Sequence, residues 1–339
     1  MQKGEWVQKL NLYEGADIYT SVKQLINTII PYLIIVLFMF YVKNHGYSYW
    51  IILLMAPLAS LFMVRVFLIM HDCSHKSYWR RSPLACFIIG HVCGILTYTS
   101  FFDFRQGHVI HHATVANLEK RGDGDVWTMT VSEYNASSMW MRMVYRIFRN
   151  PFVLFFIIPV LKFIVLQRFP SAKTRIKTLW SIIFTDIMLA LIIVAAHFTV
   201  GIKQFAVVEL PIVFPAFAFG MWIFYVNHNF EGVYWAHDDQ WDRFQAAVKG
   251  SSFCDFPDIL RWFTANIGYH YIHHLNFRIP NYNLDRCYKE IPQLHEVVPL
   301  TFSQMMRSVN LAVWDESSEK LISFSDAASL IKKVSGKTT

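Results

Sequence analysis

Apolar positions fall into four long unbroken runs, and most polar positions lie between them. Leu25–Val42, Tyr47–Ile69, Leu179–Val200 and Phe205–Val226 are each long enough to cross a bilayer as a helix. Only Lys43–Gly46 separate the first two runs, and only Gly201–Gln204 separate the last two. Each pair is therefore a tight helical hairpin, and both hairpins open to the same side. Pro31, Pro57, Pro211 and Pro215 are tolerable kinks in membrane helices. Arg65 lies near the end of its run and is expected to snorkel. Asp186 and Glu209 are unfavourable in lipid and are expected to face protein.

Two further apolar stretches are ambiguous. Leu84–Phe102 holds Gly90, His91 and Gly94, and Phe152–Phe169 holds Pro159, Lys162 and Arg168. Each either spans, or dips into the membrane, or lies along its surface. From Asn229 onward the pattern is mixed polar and helical, which predicts a cap outside the bilayer. No repeat or linker interrupts the chain, and only Ser335–Thr339 reads as a polar tail.

Composition supports the membrane reading. Of the 339 residues, 54% are hydrophobic and 16% charged. A soluble domain carries about 25% charged residues, so an ordinary soluble protein is excluded. An aromatic content of 17% excludes disorder. The net charge is +7, but no Lys/Arg run exceeds two residues, which argues against nucleic acid as a partner. Of 31 Lys and Arg, the hairpin loops hold only Lys43 and Lys203. Nearly all the others fall on the opposite face, which places that face and both termini in the cytoplasm. The first 24 residues are too polar for a secretory signal, so the first run is expected to be retained. Five cysteines without a CxxC pair predict free thiols in a reducing compartment.

The histidines carry the chemistry. His71 and His75 form HxxxH just after the second run. His108, His111 and His112 form HxxHH, and His270, His273 and His274 form another. His228 stands alone directly after the fourth run. Helical residues three and four apart share a face, so each box presents clustered imidazoles. Imidazole binds Zn, Cu, Fe and Ni, and nine candidate ligands exceed the needs of one ion. Two metals are the economical reading. His45, His91, His197, His237 and His295 show no such pattern and read as packing or surface residues. If all nine histidines serve one centre, every box lies on one face. Neither Leu84–Phe102 nor Phe152–Phe169 then crosses the bilayer.

These residues resemble the integral-membrane fatty acid desaturase family over roughly residues 20 to 325. The order HxxxH, HxxHH, two-span hairpin, lone His, HxxHH is similar to that family's arrangement. HDCSHKSYW, FYVNHNFEGVYW, AAVKGSSF and IGYHYIHHLNFRIPNYNL resemble the bacterial acyl-lipid desaturases, and within them the phospholipid Δ5 type. HDCxH and IPxYNL are also similar to the Δ12 acyl-lipid enzymes.

The resemblance implies an all-α membrane protein with a single domain over residues 1–339. Its four transmembrane helices form two hairpins, and a cytosolic helical cap carries a dimetal site. It implies a non-haem diiron centre held by His71, His75, His108, His111, His112, His228, His270, His273 and His274. O₂ is the oxidant, and membrane phospholipid acyl chains are the substrate. The reaction gives a cis double bond and two waters, in the inner (cytoplasmic) cell membrane. Some family members hold a water on one metal through an Asn four residues before the lone histidine. Phe224 stands there in this chain, and Asn266, four before His270, is a geometric substitute or a packing residue.

Neutral imidazoles need carboxylates behind them to fix the rings. Asp72, Asp103, Asp123, Asp125 and Glu231 are candidates, Glu231 foremost because it lies three residues after His228. Taken singly, each reads first as a surface or loop acid. Tyr78, Trp79, Phe101, Phe102, Trp127, Trp222 and Tyr225 either line an acyl tunnel or form an interfacial belt. The chain has no GxGxxG and no HPGG, so no bound nucleotide or fused haem domain is expected. Electrons then come from a separate acidic carrier such as ferredoxin or flavodoxin. Arg80, Arg81, Arg142, Arg146 and Arg149 offer it a basic face, or bind lipid headgroups. Two rivals are a hydroxylase or ketolase with the same boxes, and a membrane metal transporter.

Overall fold

The computed structural model describes residues 3–122 and 124–335. Four long helices follow the four apolar runs: Ile18–Asn44, Tyr49–His75, Ile176–Thr199 and Ile202–His228. They are longer than the runs because helical hydrogen bonding continues past the last apolar residue. The Asp17 carboxylate caps the first, accepting from Thr20 N at 2.7 Å. The second helix is the central one. In its most apolar stretch 56% of residues are buried by protein, against 22% for Ile176–Thr199, which faces outward.

The charged residues within the apolar runs are all partnered. Arg168 Nη1 lies 2.7 Å from Asp186 Oδ1, and Tyr98 Oη donates to Glu209 at 2.9 Å. Arg65 does not snorkel. It is 4% exposed, donates from Nε to Thr28 Oγ1 at 2.9 Å and from Nη1 to the Trp262 carbonyl, and lies 3.9 Å from the centre of the Trp262 ring. The reason is that its helix continues ten residues beyond it, so no solvent-facing end is near.

The two ambiguous stretches are bent. Pro83–Leu96 and Phe101–Thr114 meet at 103°, and Met139–Phe148 meets Val153–Arg168 at 65°. Pro83–Leu96 has 14 residues, a rise of about 21 Å, less than the roughly 30 Å hydrocarbon core. The turn between it and Phe101–Thr114 is tight. A Cβ on Gly94 would sit 2.5 Å from the Thr99 carbonyl oxygen, so only glycine fits there. Pro159 and two π-turns, Val153–Ile157 and Leu161–Val165, break up the other stretch.

The cap is helical with one addition that periodicity did not predict. A three-stranded sheet joins β1 (Met129–Thr130), β2 (Leu311–Asp315) and β3 (Lys320–Ser323) in that order. β1 pairs parallel to β2, and β2 antiparallel to β3. Asp315 closes the β2–β3 turn by accepting from Ser317 Oγ at 2.8 Å and Ser318 Oγ at 2.6 Å. The N-terminal turns fold over the third histidine box region, with Tyr13 Oη donating to Glu290 at 2.8 Å and Glu14 paired with Arg80 at 2.5 Å. All five cysteines are buried and free.

Candidate metal centre

Each box sits where a helix ends. His71 and His75 occupy the last two turns of Tyr49–His75, and His228 is the last residue of Ile202–His228. His108, His111 and His112 end the Phe101–Thr114 helix, and the third box forms its own short helix, His270–Leu275. The nine rings converge as two groups. One holds His71, His75, His108, His112 and His273, and the other holds His111, His228, His270 and His274. Within each group the ligand atoms lie within 4.8 Å of one another.

The HxxHH spacing explains the division. The first and fifth positions stack on one face, and the fourth is rotated away from the fifth by about 100°. His108 and His112 therefore serve one group and His111 the other. In the third box the assignment is reversed, with His270 and His274 on one group and His273 on the other. Each HxxHH box thus bridges both groups, while His71 and His75 of the first box serve the five-histidine group alone.

The Nε2 atoms lie at the spacing of ligands that share a metal ion. His71–His108 and His228–His270 are 2.8 Å apart, and His108–His112, His112–His273, His111–His228 and His270–His274 are 3.1 Å apart. A metal–nitrogen bond of about 2.1 Å sets neighbouring nitrogens about 3.0 Å apart at right angles. The tautomers point the same way. His111 Nδ1 lies 2.6 Å from Asp125 Oδ1, and His228 Nδ1 lies 3.0 Å from the Gly250 carbonyl oxygen. Both acceptors require a proton on Nδ1, so both Nε2 atoms present bare lone pairs. Two lone pairs at 3.1 Å repel unless a cation lies between them. His75 Nε2 is likewise buried with no partner. Burial, aided by neighbouring imidazoles, holds His270, His273 and His274 well below the usual histidine range, so these rings stay neutral and able to ligate. The residues present fit two metal ions.

A sequence profile described as fatty acid desaturase matches residues 28–303. A protein named fatty acid desaturase from Bacillus subtilis (strain 168) is 36% identical over 304 residues, covering 90% of this chain and 86% of its own. An sn-1 oleoyl-lipid 12-desaturase from Picosynechococcus sp. is 27% identical, covering 67% and 65%. The chloroplastic omega-6 fatty acid desaturase of Glycine max is 26% identical, covering 67% and 53%.

The chain belongs to the fatty acid desaturase family. The desaturase is an oxygen-dependent oxidoreductase of the membrane, and the metal-transporter reading is set aside.

The surroundings of the rings divide the predicted carboxylates. Asp72 Oδ1 lies 3.2 Å from His71 Nδ1, and Asp125 supports His111. Glu231, the favoured candidate, is exposed, and Gly250 takes the role expected of it at His228. The reason is that the helix stops at His228, with Asn229 at φ −130°, so three residues on is no longer one turn away. Asn266 is not a water-holding residue on the third box helix. It lies before that helix at φ 58°, and its Nδ2 donates to the Asn281 carbonyl at 2.9 Å. Asp103 is half-buried away from the box rings, and Asp123 lies outside the described residues.

The aromatic candidates also sort. Tyr78 is structural, its Oη donating to Ser21 O at 2.7 Å. Phe101 and Phe102 pack on His91 at 5.1 and 5.6 Å, and Trp79 is half-buried against the membrane core. Trp127 packs on Tyr145 at 4.9 Å, Trp222 on Phe219 at 5.9 Å, and Tyr225 Oη donates to the Leu311 carbonyl. Three rings outside the predicted aromatic set are in direct contact with the box histidines. Phe104 stacks on His108 at 5.0 Å, Phe224 lies 5.7 Å from both His111 and His228, and Phe277 lies 5.0 Å from His75. Phe224 was already noted four residues before His228, and the same spacing would have found Phe104, four before His108.

Proposed function

We propose that the protein is an acyl-lipid desaturase of the cytoplasmic membrane, acting on phospholipid-linked acyl chains at a non-haem diiron centre. The observation that carries this reading is the pair of convergent histidine groups, with the Nε2 atoms of His111 and His228 facing each other at 3.1 Å. The nine histidines would hold the two irons. When bound, the irons supply the oxidising power by which O₂, two electrons and two protons take two vicinal hydrogens from the chain, leaving a cis double bond and two waters. Asp72, Asp125 and the Gly250 carbonyl keep protons on Nδ1, which aims Nε2 of His71, His111 and His228 inward. Phe104, Phe224 and Phe277 cover the rings and exclude water from them. Trp79, Phe101, Trp127, Trp222 and Tyr225 line the route of the acyl chain.

The centre and both termini face the cytoplasm, the side favoured by the Lys/Arg distribution. A separate ferredoxin or flavodoxin delivers the electrons there. The double bond is placed at Δ5. A second reading, Δ12, is favoured by the relatives named 12-desaturases.

Expression in a host lacking the activity tests this. Gas chromatography–mass spectrometry of derivatised lipids is expected to show a new cis double bond, and the purified protein is expected to carry two irons. An oxygenated acyl chain in place of an alkene overturns the desaturase assignment in favour of a hydroxylase or ketolase.

A further inference from the structure

The Tyr49–His75 and Ile202–His228 helices part at the ends away from the metal centre, leaving a groove of 580 Å³ between them. Its lining positions recur three and four residues apart on both helices, so each helix presents one continuous face to it. The residues explain the opening. Ala56 and Ala206 are too small to fill the space between the rods. Pro57, Pro211 and Pro215 each remove a helical hydrogen bond and bend the helix that carries them. The carbonyl that Pro211 frees is that of Val207, and Tyr49 Oη donates to it at 3.4 Å. Leu210 and Phe214, 50% and 38% exposed, leave the groove open sideways to the bilayer.

Charge is confined to one end. Lys203 lies in the first turn of its helix and lines the mouth of the groove. Among the described residues no carboxylate pairs with it, although Arg168 and Arg261 have acidic partners. The one acid on this part of the helix, Glu209, turns away to accept from Tyr98 Oη at 2.9 Å. The groove therefore has a cationic mouth and an apolar length.

Length and place identify the occupant. From Lys203 to Pro215 the wall rises about 18 Å, close to the roughly 15 Å of hydrocarbon in one leaflet. A further rise of about 20 Å separates Pro215 from His228, so a chain lying in the groove does not reach the metal centre. An anion at headgroup level joined to an apolar tail one leaflet long is an anionic phospholipid.

We propose that this groove binds one anionic phospholipid of the leaflet facing away from the metal centre, with its phosphate on Lys203 and an acyl chain along Ala206, Pro211 and Pro215. This lipid is held and not desaturated, so the site is independent of the double-bond position. It wedges the two helices that end in His71, His75 and His228 and fixes the bends at their prolines.

The test uses the full-length protein, stripped of lipid in a zwitterionic detergent and kept without reductant so that no turnover occurs. It is titrated with dioleoyl phosphatidylglycerol and, separately, with dioleoyl phosphatidylcholine. The anionic lipid is expected to raise the melting temperature by about 5 °C more than the zwitterionic one. Native mass spectrometry is expected to retain one phosphatidylglycerol per chain. Lys203→Gln is expected to erase the difference, and Lys43→Gln, in the other hairpin loop, to keep it. Ala206→Trp, which fills the groove, is expected to lose the retained lipid with Lys203 still in place. A wild type stabilised equally by both lipids overturns the site, whether or not the variants fold. So does a preference that survives Lys203→Gln. A preference lost to the same extent in Lys43→Gln reduces the effect to the general charge of that face and also overturns the site.

Discussion

Asp72 joins the first histidine box to Asn281, 209 residues downstream. Its Oδ2 accepts from Asn281 N at 2.7 Å and from Asn281 Nδ2 at 2.8 Å, while its Oδ1 lies 3.2 Å from His71 Nδ1. One buried carboxylate thus fixes a ligand ring and docks the cap onto the central membrane helix. Asp72→Ala is expected to weaken iron binding by about 10–100-fold, measured by titration with a competing chelator.

Asp125 does the same for the other group, and from a loop. Its Oδ1 faces His111, and its Oδ2 is buried without a partner. Asp125→Ala is expected to empty the four-histidine group first. Metal analysis should then fall from two ions per chain toward one, while Asp72→Ala acts first on the five-histidine group.

Direct loss of a ligand is more severe. His111→Ala and His273→Ala remove one imidazole from different groups. Both are expected to abolish the unsaturated product while the protein still inserts into the membrane. Retained product in either variant rejects a shared two-metal centre.

Gly124 limits the space behind His111. It adopts φ +87°, and a Cβ there would lie 2.8 Å from His111 Cβ and 2.9 Å from the Gly107 carbonyl oxygen. Gly124→Ala is expected to destabilise the protein by about 1–3 kcal/mol and to displace the ligand ring. Gly232→Ala meets open space at a similar φ of +84° and serves as the comparison. Thermal unfolding should register both substitutions, and lipid product should fall only in the first.

Acid is expected to loosen the centre. His270, His273 and His274 titrate well below 6.5 in the fold, while the unfolded chain takes up protons on them near 6.5. The unfolded state therefore binds more protons below that pH, and stability falls as pH drops from neutrality through this window. The metal-free protein in detergent should show a lower melting temperature at pH 5.5 than at pH 7.5. Iron retention should fall over the same range.

The four membrane helices and the nine histidines were legible because both are local patterns. A run of apolar residues and an HxxHH spacing need no knowledge of distant contacts. What lay beyond the sequence depended on where helices stop. Glu231 looked one turn from His228 only if the helix continued, and it ends there. Of the two readings of Asn266 the packing one fits, because the box helix begins only at His270 and Asn266 donates to the Asn281 carbonyl. Asp125 could not be chosen over Asp103 or Glu231, since a loop carries it to His111. Arg65 seemed close to a membrane surface because its apolar run ended, while its helix continued to His75. The β2–β3 hairpin was missed although LAVWD and KLIS flank an ESSE turn, because a helical period was assumed for the whole cap.

The two helices that deliver His71, His75 and His228 run unbroken from the opposite face of the bilayer. Each has 27 residues, a rod about 40 Å long. Pro57, Pro211 and Pro215 lie inside these two helices, so a bend at any of them displaces the imidazoles at the near end sideways.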